Sequence, residues 1–375
     1  MKILQVTRQF WPARGGLESF ALGLSRQLIA RGHESHVATL AFDWATGRPL
    51  PRRETYDGIP IFRVRAVGPR RYLLAPGLLR LVGRYDLVHV HGTDALFDLL
   101  ALTRPWHRRP LVLTTHGGFF HTRWGWRFKQ LYFATATRLA LRACAAVACV
   151  SAQDYARFSP LAPDRCVLVP NGADLQPLLD QPKRVEPGLL VTIGRISRNK
   201  RIDRLVALLP HLPRDARLVV VGPDWEGLAA PLNAQAARLG VADRVHLAGA
   251  CDETGVRDWL ARAHLYLSAS TYEGFGLAVV EAMGSGTVPV LSPITAHRAL
   301  VRPGHDGFLV DFARPADAAA QVRAALSLPP LALATLGGHA RAAARPYDWS
   351  VVAARYVAIY EAALGAPRAA TVVAA

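Results

Sequence analysis

The chain has 375 residues, 51% of them hydrophobic, and carries 45 Lys and Arg against 28 Asp and Glu for a formal net charge of +17. That apolar content excludes a disordered chain, and the length suits two domains or one large one. No run of 18 consecutive apolar residues occurs, which argues against a transmembrane helix, and residues 2–6 are too short for a signal-peptide core. The positive charge is uneven: residues 1–186 hold 26 Lys and Arg against 13 acids, and residues 187–375 hold 19 against 15. Such a field favours an anionic partner, whether nucleic acid, an acidic membrane surface or a phosphorylated substrate. Cys144, Cys149, Cys166 and Cys251 have neither zinc-site nor CxxC spacing. They read as buried free thiols in a reducing compartment, and no metal site is expected.

Short apolar runs at 3–6, 37–40, 87–90, 111–113 and 145–150 alternate with helix-period stretches. This predicts an α/β fold with a parallel sheet covered on both faces, which binds ligands beyond the carboxyl ends of its strands. The first strand leads through Gly15-Gly16 into an amphipathic helix over 17–31. Backbone at such a turn can approach a diphosphate, although a plain turn has the same sequence. His116, at a strand end before Gly117-Gly118, is a candidate site residue. The segment 124–133 interleaves aromatic and basic residues. It fits either a helix in a membrane interface or an amphipathic core helix.

The polar, Pro- and Gly-containing stretch 181–188 reads as a linker, dividing the chain into domains 1–184 and 185–346. The second domain begins with a strand at 189–193, followed by Gly194-Arg195-Ile196-Ser197-Arg198-Asn199-Lys200. Arg195 and Lys200 flank a strand-to-helix loop, where both cations can converge on phosphates. Strands follow at 218–221, 245–247, 265–267 and 288–291. The strand at 265–267 opens on Ala269-Ser270-Thr271-Tyr272-Glu273-Gly274-Phe275-Gly276-Leu277-Ala278-Val279-Val280-Glu281. If every step from Glu273 to Glu281 were helical, the two carboxylates would lie about 80° apart round the axis and share no face. Gly274 and Gly276 instead allow a tight loop feeding a helix from about Gly276, whose free N–H groups face the same space. A carboxylate matches a vicinal diol and a helix N-terminus matches phosphate, so the pair describes a sugar-nucleotide site.

This stretch resembles the Glu-x7-Glu signature of retaining glycosyltransferases of the GT-B fold, and the resemblance extends over nearly the whole chain. It implies two Rossmann-like domains facing across a cleft, with a last helix, 347–364, crossing back onto the first. The resemblance also places Gly15 and Gly16 near the donor phosphates and Arg195 and Lys200 on the donor diphosphate. Glu273 would hold the transferred sugar, Glu281 the ribose, and His116 would contact the sugar from the other domain. Gly274, Phe275, Gly276 and Leu277 complete the donor set, and no metal or other cofactor is implied. Arg201 departs from the family, which usually has Gly there. Within the family, Val6-Thr7-Arg8-Gln9-Phe10, Thr115-His116-Gly117-Gly118-Phe119-Phe120-His121-Thr122 and Tyr347-Asp348-Trp349 are similar to α-mannosyltransferases that use GDP-mannose and a lipid-diphosphate-linked cellobiose in exopolysaccharide synthesis. The implied partners are a nucleotide sugar, a lipid-diphosphate-linked oligosaccharide and an anionic membrane surface, with no nucleic acid. The implied location is cytoplasmic, peripheral on the inner face of the cell membrane. The alternatives are another nucleotide sugar with a lipopolysaccharide or other glycan acceptor, or a basic anionic-lipid or nucleic-acid binding protein. Against the last, no stacking platform or Arg-dense helix is visible. Against a nucleotide-dependent dehydrogenase or epimerase, the first turn lacks Gly-x-Gly-x-x-Gly.

Overall fold

The computed structural model describes residues 1–13, 15–69, 72–117 and 130–365. The chain forms two compact units, Met1–Gly172 with the helix Trp349–Ala363, and Ala173–Asp348.

In the first unit, β1 (Lys2–Val6), β2 (Glu34–Leu40), β3 (Arg53–Tyr56), β4 (Ile59–Val64), β5 (Leu87–His91), β6 (Leu111–Thr114), β7 (Ala146–Cys149) and β8 (Cys166–Leu168) form one sheet. Its order is β3-β4-β2-β1-β5-β6-β7-β8, parallel except where β3 pairs antiparallel with β4. Successive side chains of a strand point to opposite faces. Leu4, Val6, Val88 and Val90 accordingly pack on one face against Leu96, Phe97 and Leu100. Ile3, Leu87 and Val112 pack on the other against Phe20, Leu24 and Leu28 of the helix Gly16–Ala30 and Trp349, Tyr356 and Tyr360 of the last helix. A Cβ on Gly23 would lie 2.5 Å from the Trp349 ring and one on Gly172 2.3 Å from it, so only glycine lets that indole seat.

The hairpin β3–β4 and the short β8 are absent from the sequence reading above. Asp57 and Gly58 both have positive φ, the backbone of an Asp-Gly hairpin turn. That dipeptide beside the alternating burial of Ile59, Ile61 and Arg63 was the signal for the hairpin.

The second unit has β9 (Leu189–Ile193), β10 (Arg217–Val221), β11 (Val245–Gly249), β12 (Leu265–Ser268), β13 (Val288–Leu291) and β14 (Phe308–Leu309) in the order β11-β10-β9-β12-β13-β14. All its pairs are parallel, with buried Val, Leu and Ile facing helices on both sides, as such sheets require. Residues 173–184, placed with the first domain by the linker reading, pack into this unit. Leu175 and Leu178 join Val279, Ala282 and Met283. The Lys183 ammonium donates to the carbonyls of Leu260 and Ala263 and to Thr287 Oγ1. By unit, residues 1–172 and 349–375 hold 26 Lys and Arg against 11 acids, whereas 173–348 hold 19 against 17.

Cys144, Cys149 and Cys166 are buried free thiols, but Cys251, expected to be buried, is half-exposed in the loop after β11. Among the described residues no helix is long and apolar enough to cross a membrane, and no three His, Cys, Asp or Glu gather to hold a metal.

Candidate active site

β9 and β12 are neighbours in the sheet, so the loops leaving their carboxyl ends run side by side. The Thr271 amide donates to the Asn199 carbonyl at 2.8 Å and the Asn199 side chain to the Tyr272 carbonyl at 3.1 Å. This stitching brings Lys200 Nζ to 2.7 Å from Glu273 Oε1, which also accepts from Ser270 Oγ at 2.7 Å. Side-chain exposure is 22% for Lys200 and 14% for Glu273. The pair is therefore held in place rather than solvated. Lys200 retains two N–H donors and Glu273 its second oxygen. Gly194, with φ +138°, lets the lysine stem pass, since a Cβ there would be 3.1 Å from Lys200 Cε.

Glu273 leads through exposed Gly274 to Gly276, whose φ of 103° and ψ of 42° reverse the chain into the helix Leu277–Gly284. No side chain caps this end, so its first N–H groups and dipole remain available to an anion. Phe275 packs edge-on against Tyr347, centroids 5.5 Å apart, and Leu277 lies half-buried in the core beneath. Glu281 stands on the same helix. Burial, with Glu253 and Asp174 adding to it, pushes its carboxyl up to about 7. Both glutamates act on buried Tyr266, raising its phenol after the larger effect of burial.

Arg195 was expected to converge with Lys200. It is exposed, and its guanidinium lies 4.8 Å over the ring of Trp225, in the loop after β10. Arg201 explains its own departure from the family. Its φ of 49° and ψ of 45° are left-handed, the backbone for which glycine is the usual choice, and the helix Ile202–Leu208 starts just after it. The sequence reading missed His297, fully buried after β13. Its Nδ1 lies 2.8 Å from the Ser292 carbonyl, while its Nε2 is buried without a partner. Glu273 and Lys200 both act on its ring, and burial depresses its basicity most.

In the first unit, His116 follows β6 with φ 46°. The buried Asp154 carboxylate clamps that turn, accepting from Thr115 Oγ1 at 2.6 Å and the Gly117 amide at 2.8 Å. His116 Nε2 lies 3.2 Å from His91 Nδ1, and His91 Nε2 lies 2.8 Å from Gln5 Oε1. With the amide oxygen accepting, His91 carries its proton on Nε2 and His116 donates Nε2–H to it, which leaves His116 Nδ1 as an acceptor. Burial pushes the His116 imidazole down to about 3 and holds His91 well below the ordinary imidazole range, so both rings are neutral near pH 7. His91, Gln5 and Asp154 escaped the sequence reading. The first two were visible only as polar residues on strands, and β1, β5 and β6 become neighbours only in the sheet.

Gly15 is the N-cap of the helix Gly16–Ala30 and provides no side-chain cap. A Cβ on Gly15 would come 2.4 Å from Glu18 Oε2. This helix end therefore already faces a carboxylate of its own, while the space beside Gly16 is open. Residues 118–129, with most of the basic aromatic segment and the end of the His-Gly-Gly motif, lie outside the described residues. Beyond them, the helix Arg138–Leu141 packs on the helix Ala95–Leu102. Leu102, Trp106, Leu131 and Leu139 are 66%, 81%, 63% and 59% exposed, interspersed with Arg104, Arg108, Arg138 and Arg142.

Residues 14–177 match the family described as Glycosyltransferase Family 4, and residues 180–336 match Glycosyl transferases group 1. A GDP-mannose:cellobiosyl-diphosphopolyprenol alpha-mannosyltransferase of Komagataeibacter xylinus is 37% identical, over 97% of this chain and 94% of its own. The chain belongs to the GT-B glycosyltransferases. The protein of the same name from Xanthomonas oryzae is 36% identical over 98% of each chain. Anabaena HepE, solved with UDP, shares the fold at a TM-score of 0.75 and 21% identity, covering 95% of this chain and 98% of its own. A glycosyltransferase from Rickettsia africae does so at 0.76 and 16%, covering 97% and 98%. The chain is thus a glycosyltransferase with two Rossmann-like units, as the Glu-x7-Glu stretch implied.

Proposed function

We propose that this glycosyltransferase moves mannose from GDP-mannose to a lipid-diphosphate-linked cellobiose, with retention at the anomeric carbon. The donor and acceptor follow the two relatives, whose identity runs the length of the chain. The observation that carries the chemistry is the Lys200–Glu273 pair set by Ser270 beside the uncapped helix that holds Glu281. Lys200 and the helix end stabilise charge on the departing diphosphate, the role of preorganised positive groups in a transition state, and Arg195 joins them by leaving the face of Trp225. Glu273 accepts hydrogen bonds from the transferred sugar, and Glu281 accepts from the ribose diol. Gly274, Phe275, Gly276 and Leu277 shape the turn that aims the helix, and Gly15-Gly16 offers further backbone N–H. His116 Nδ1 accepts from a sugar hydroxyl. The acceptor oxygen bonds to C1 as the C1–O bond to the diphosphate breaks, and the acceptor proton passes to the departing phosphate oxygen.

Because protein groups supply the positive charge, the reaction needs no metal. The basic first unit docks at the inner face of the cell membrane, its exposed leucines and Trp106 entering the interface among arginines. The test is nucleotide release from a panel of sugar nucleotides with lipid-diphosphate cellobiose, with and without EDTA. GDP released from GDP-mannose at equal rates in both is the expected result. Release of UDP from a UDP-sugar would overturn the donor, and loss of turnover in EDTA restored by Mn²⁺ would overturn the metal-free chemistry.

A further inference from the structure

The loop that presents Lys200 has a second side. Behind it, within the second unit, is a cavity of about 680 Å³, in the size range of small-molecule sites, roughly 300–1,000 Å³. Ile196, Ile202 and Leu232, all buried, form its floor, and Arg198, Arg201 and Arg238 line it. Asp203 is the one acid of the lining. None of Arg195, Lys200, Glu273, Gly276 and Glu281 lines it.

Arg201 is the informative residue. Its left-handed backbone, φ 49°, would be strain-free in glycine, so replacing it by glycine removes the side chain without straining the turn. That side chain is positioned. Nε and Nη2 donate to the Asp203 carboxylate at 3.0 and 2.8 Å, and the Asp203 carbonyl accepts from Gln235 on the helix Ala229–Arg238 at 2.9 Å. Nη1 is left for another acceptor. Arg198, its side chain 88% exposed and 3.8 Å from Glu226 at the rim, and Arg238, in the last turn of its helix, leave the lining and its rim with three cations against two acids.

We propose that this cavity is a second anion site, for a phosphate ester carrying an apolar or aromatic group. The ring or alkyl part lies on Ile196, Ile202 and Leu232 and the phosphate on the three arginines, whose planar forks suit it. The site is tied to the donor loops by shared walls. Asn199 and Thr271 line the cavity, are bonded to each other, and precede Lys200 by one residue and Glu273 by two. A dianion there adds negative charge beside Lys200, so occupancy weakens diphosphate binding, and donor binding weakens occupancy by the same factor. This inference does not rest on the identity of the sugar or acceptor.

Calorimetric titration of phenyl phosphate into protein partly and fully saturated with GDP, with inorganic phosphate as control, tests it without transferase activity. One equivalent should bind with GDP present, more tightly than inorganic phosphate. Binding should be at least tenfold weaker in Arg201→Gly and in Arg238→Ala and at most twofold weaker in Lys200→Ala. Arg201→Gly should melt no lower than the parent, because glycine takes that backbone freely. Saturating phenyl phosphate should weaken GDP binding two- to fivefold. Binding that GDP abolishes and Lys200→Ala removes would assign the probe to the donor site and overturn the proposal. So would binding that survives both arginine variants, or phenyl phosphate no tighter than inorganic phosphate. An unchanged GDP affinity would overturn the coupling.

Discussion

The two units place polar side chains at the same point of the same kind of sheet, yet with opposite electrostatics. In the second unit two groups are formal charges in direct contact, Lys200 with Glu273, and Glu281, on the helix that follows, is raised by burial to about 7. In the first they are neutral rings in series, His116 on His91 on Gln5, with burial keeping both imidazoles uncharged. A charged site suits a ligand that brings or develops charge, such as a diphosphate. A neutral acceptor of fixed tautomer suits hydroxyls, and it can be buried without the desolvation that an unpaired ion would suffer. The net charge runs the other way, the first unit having the excess at its surface and the second being nearly balanced. Surface charge and site charge are thus separate properties, one acting on large anionic surfaces over about a Debye length and the other at hydrogen-bond range.

The strongest way to break this comparison is Lys200→Ala. It removes transition-state charge stabilisation and leaves Glu273 unpaired, so turnover should fall on the order of 10²–10³-fold, as when one preorganised donor is removed. GDP binding should weaken at least tenfold, while His116→Ala should leave it unchanged. Equal GDP affinity in both variants and the parent, by calorimetry, would show that the division between charged and neutral sites has no functional meaning.

Next in size is Glu281→Gln, read against pH. The folded carboxyl is raised to about 7 from an ordinary value near 4.5, so the folded protein binds the extra proton between these values. Its favourable contribution to stability is complete below about pH 4.5 and is lost as pH rises through 7. The variant should therefore match the parent at pH 4 and exceed it at pH 8 by on the order of 1–3 kcal/mol, visible as a higher melting temperature. Because the ribose diol needs an ionised acceptor, parent GDP affinity should rise between pH 6 and 8 and that of the variant should not. Parallel melting curves at both pH values would refute the burial argument.

A smaller effect is expected of His91→Asn, which breaks the His116 chain without touching charge. Turnover should drop about tenfold, less than the roughly 10²–10⁴-fold of a group that itself transfers a proton, with GDP affinity unchanged. Stability should fall by about 1–3 kcal/mol from the buried groups left unpaired. A turnover equal to the parent's would reduce His91 to packing. The smallest effect tests the surface. Trp106→Ser with Leu139→Ser should reduce sedimentation with phosphatidylglycerol-rich vesicles severalfold and leave a remainder that high salt removes, each basic residue near such a surface being worth about 1 kcal/mol. Equal, negligible binding of the parent to neutral and anionic vesicles would eliminate docking.

Much of this architecture is local and therefore legible. Alternating strands and helices, glycines after strand ends and the Glu-x7-Glu interval follow from backbone sterics and hydrophobic periodicity, which act over a few residues. They sufficed for the α/β class, for most strands and for the helix starting near Gly276, and they made Lys200, Glu273, Glu281 and His116 candidates. Tertiary structure decided what those residues touch. Lys200 meets Glu273 because β9 and β12 are neighbours, 73 residues apart in sequence. His91 reaches Gln5, 86 residues away, because β1 and β5 pair. Arg195 turned to Trp225, residues 173–184 joined the second unit, and Asp154 became the clamp of the His116 turn. Each depended on which strands lie side by side and which faces are buried. Burial also shifted the Glu281 and His116 proton affinities, and no spacing along the chain encodes it, because desolvation is set by everything packed around a group.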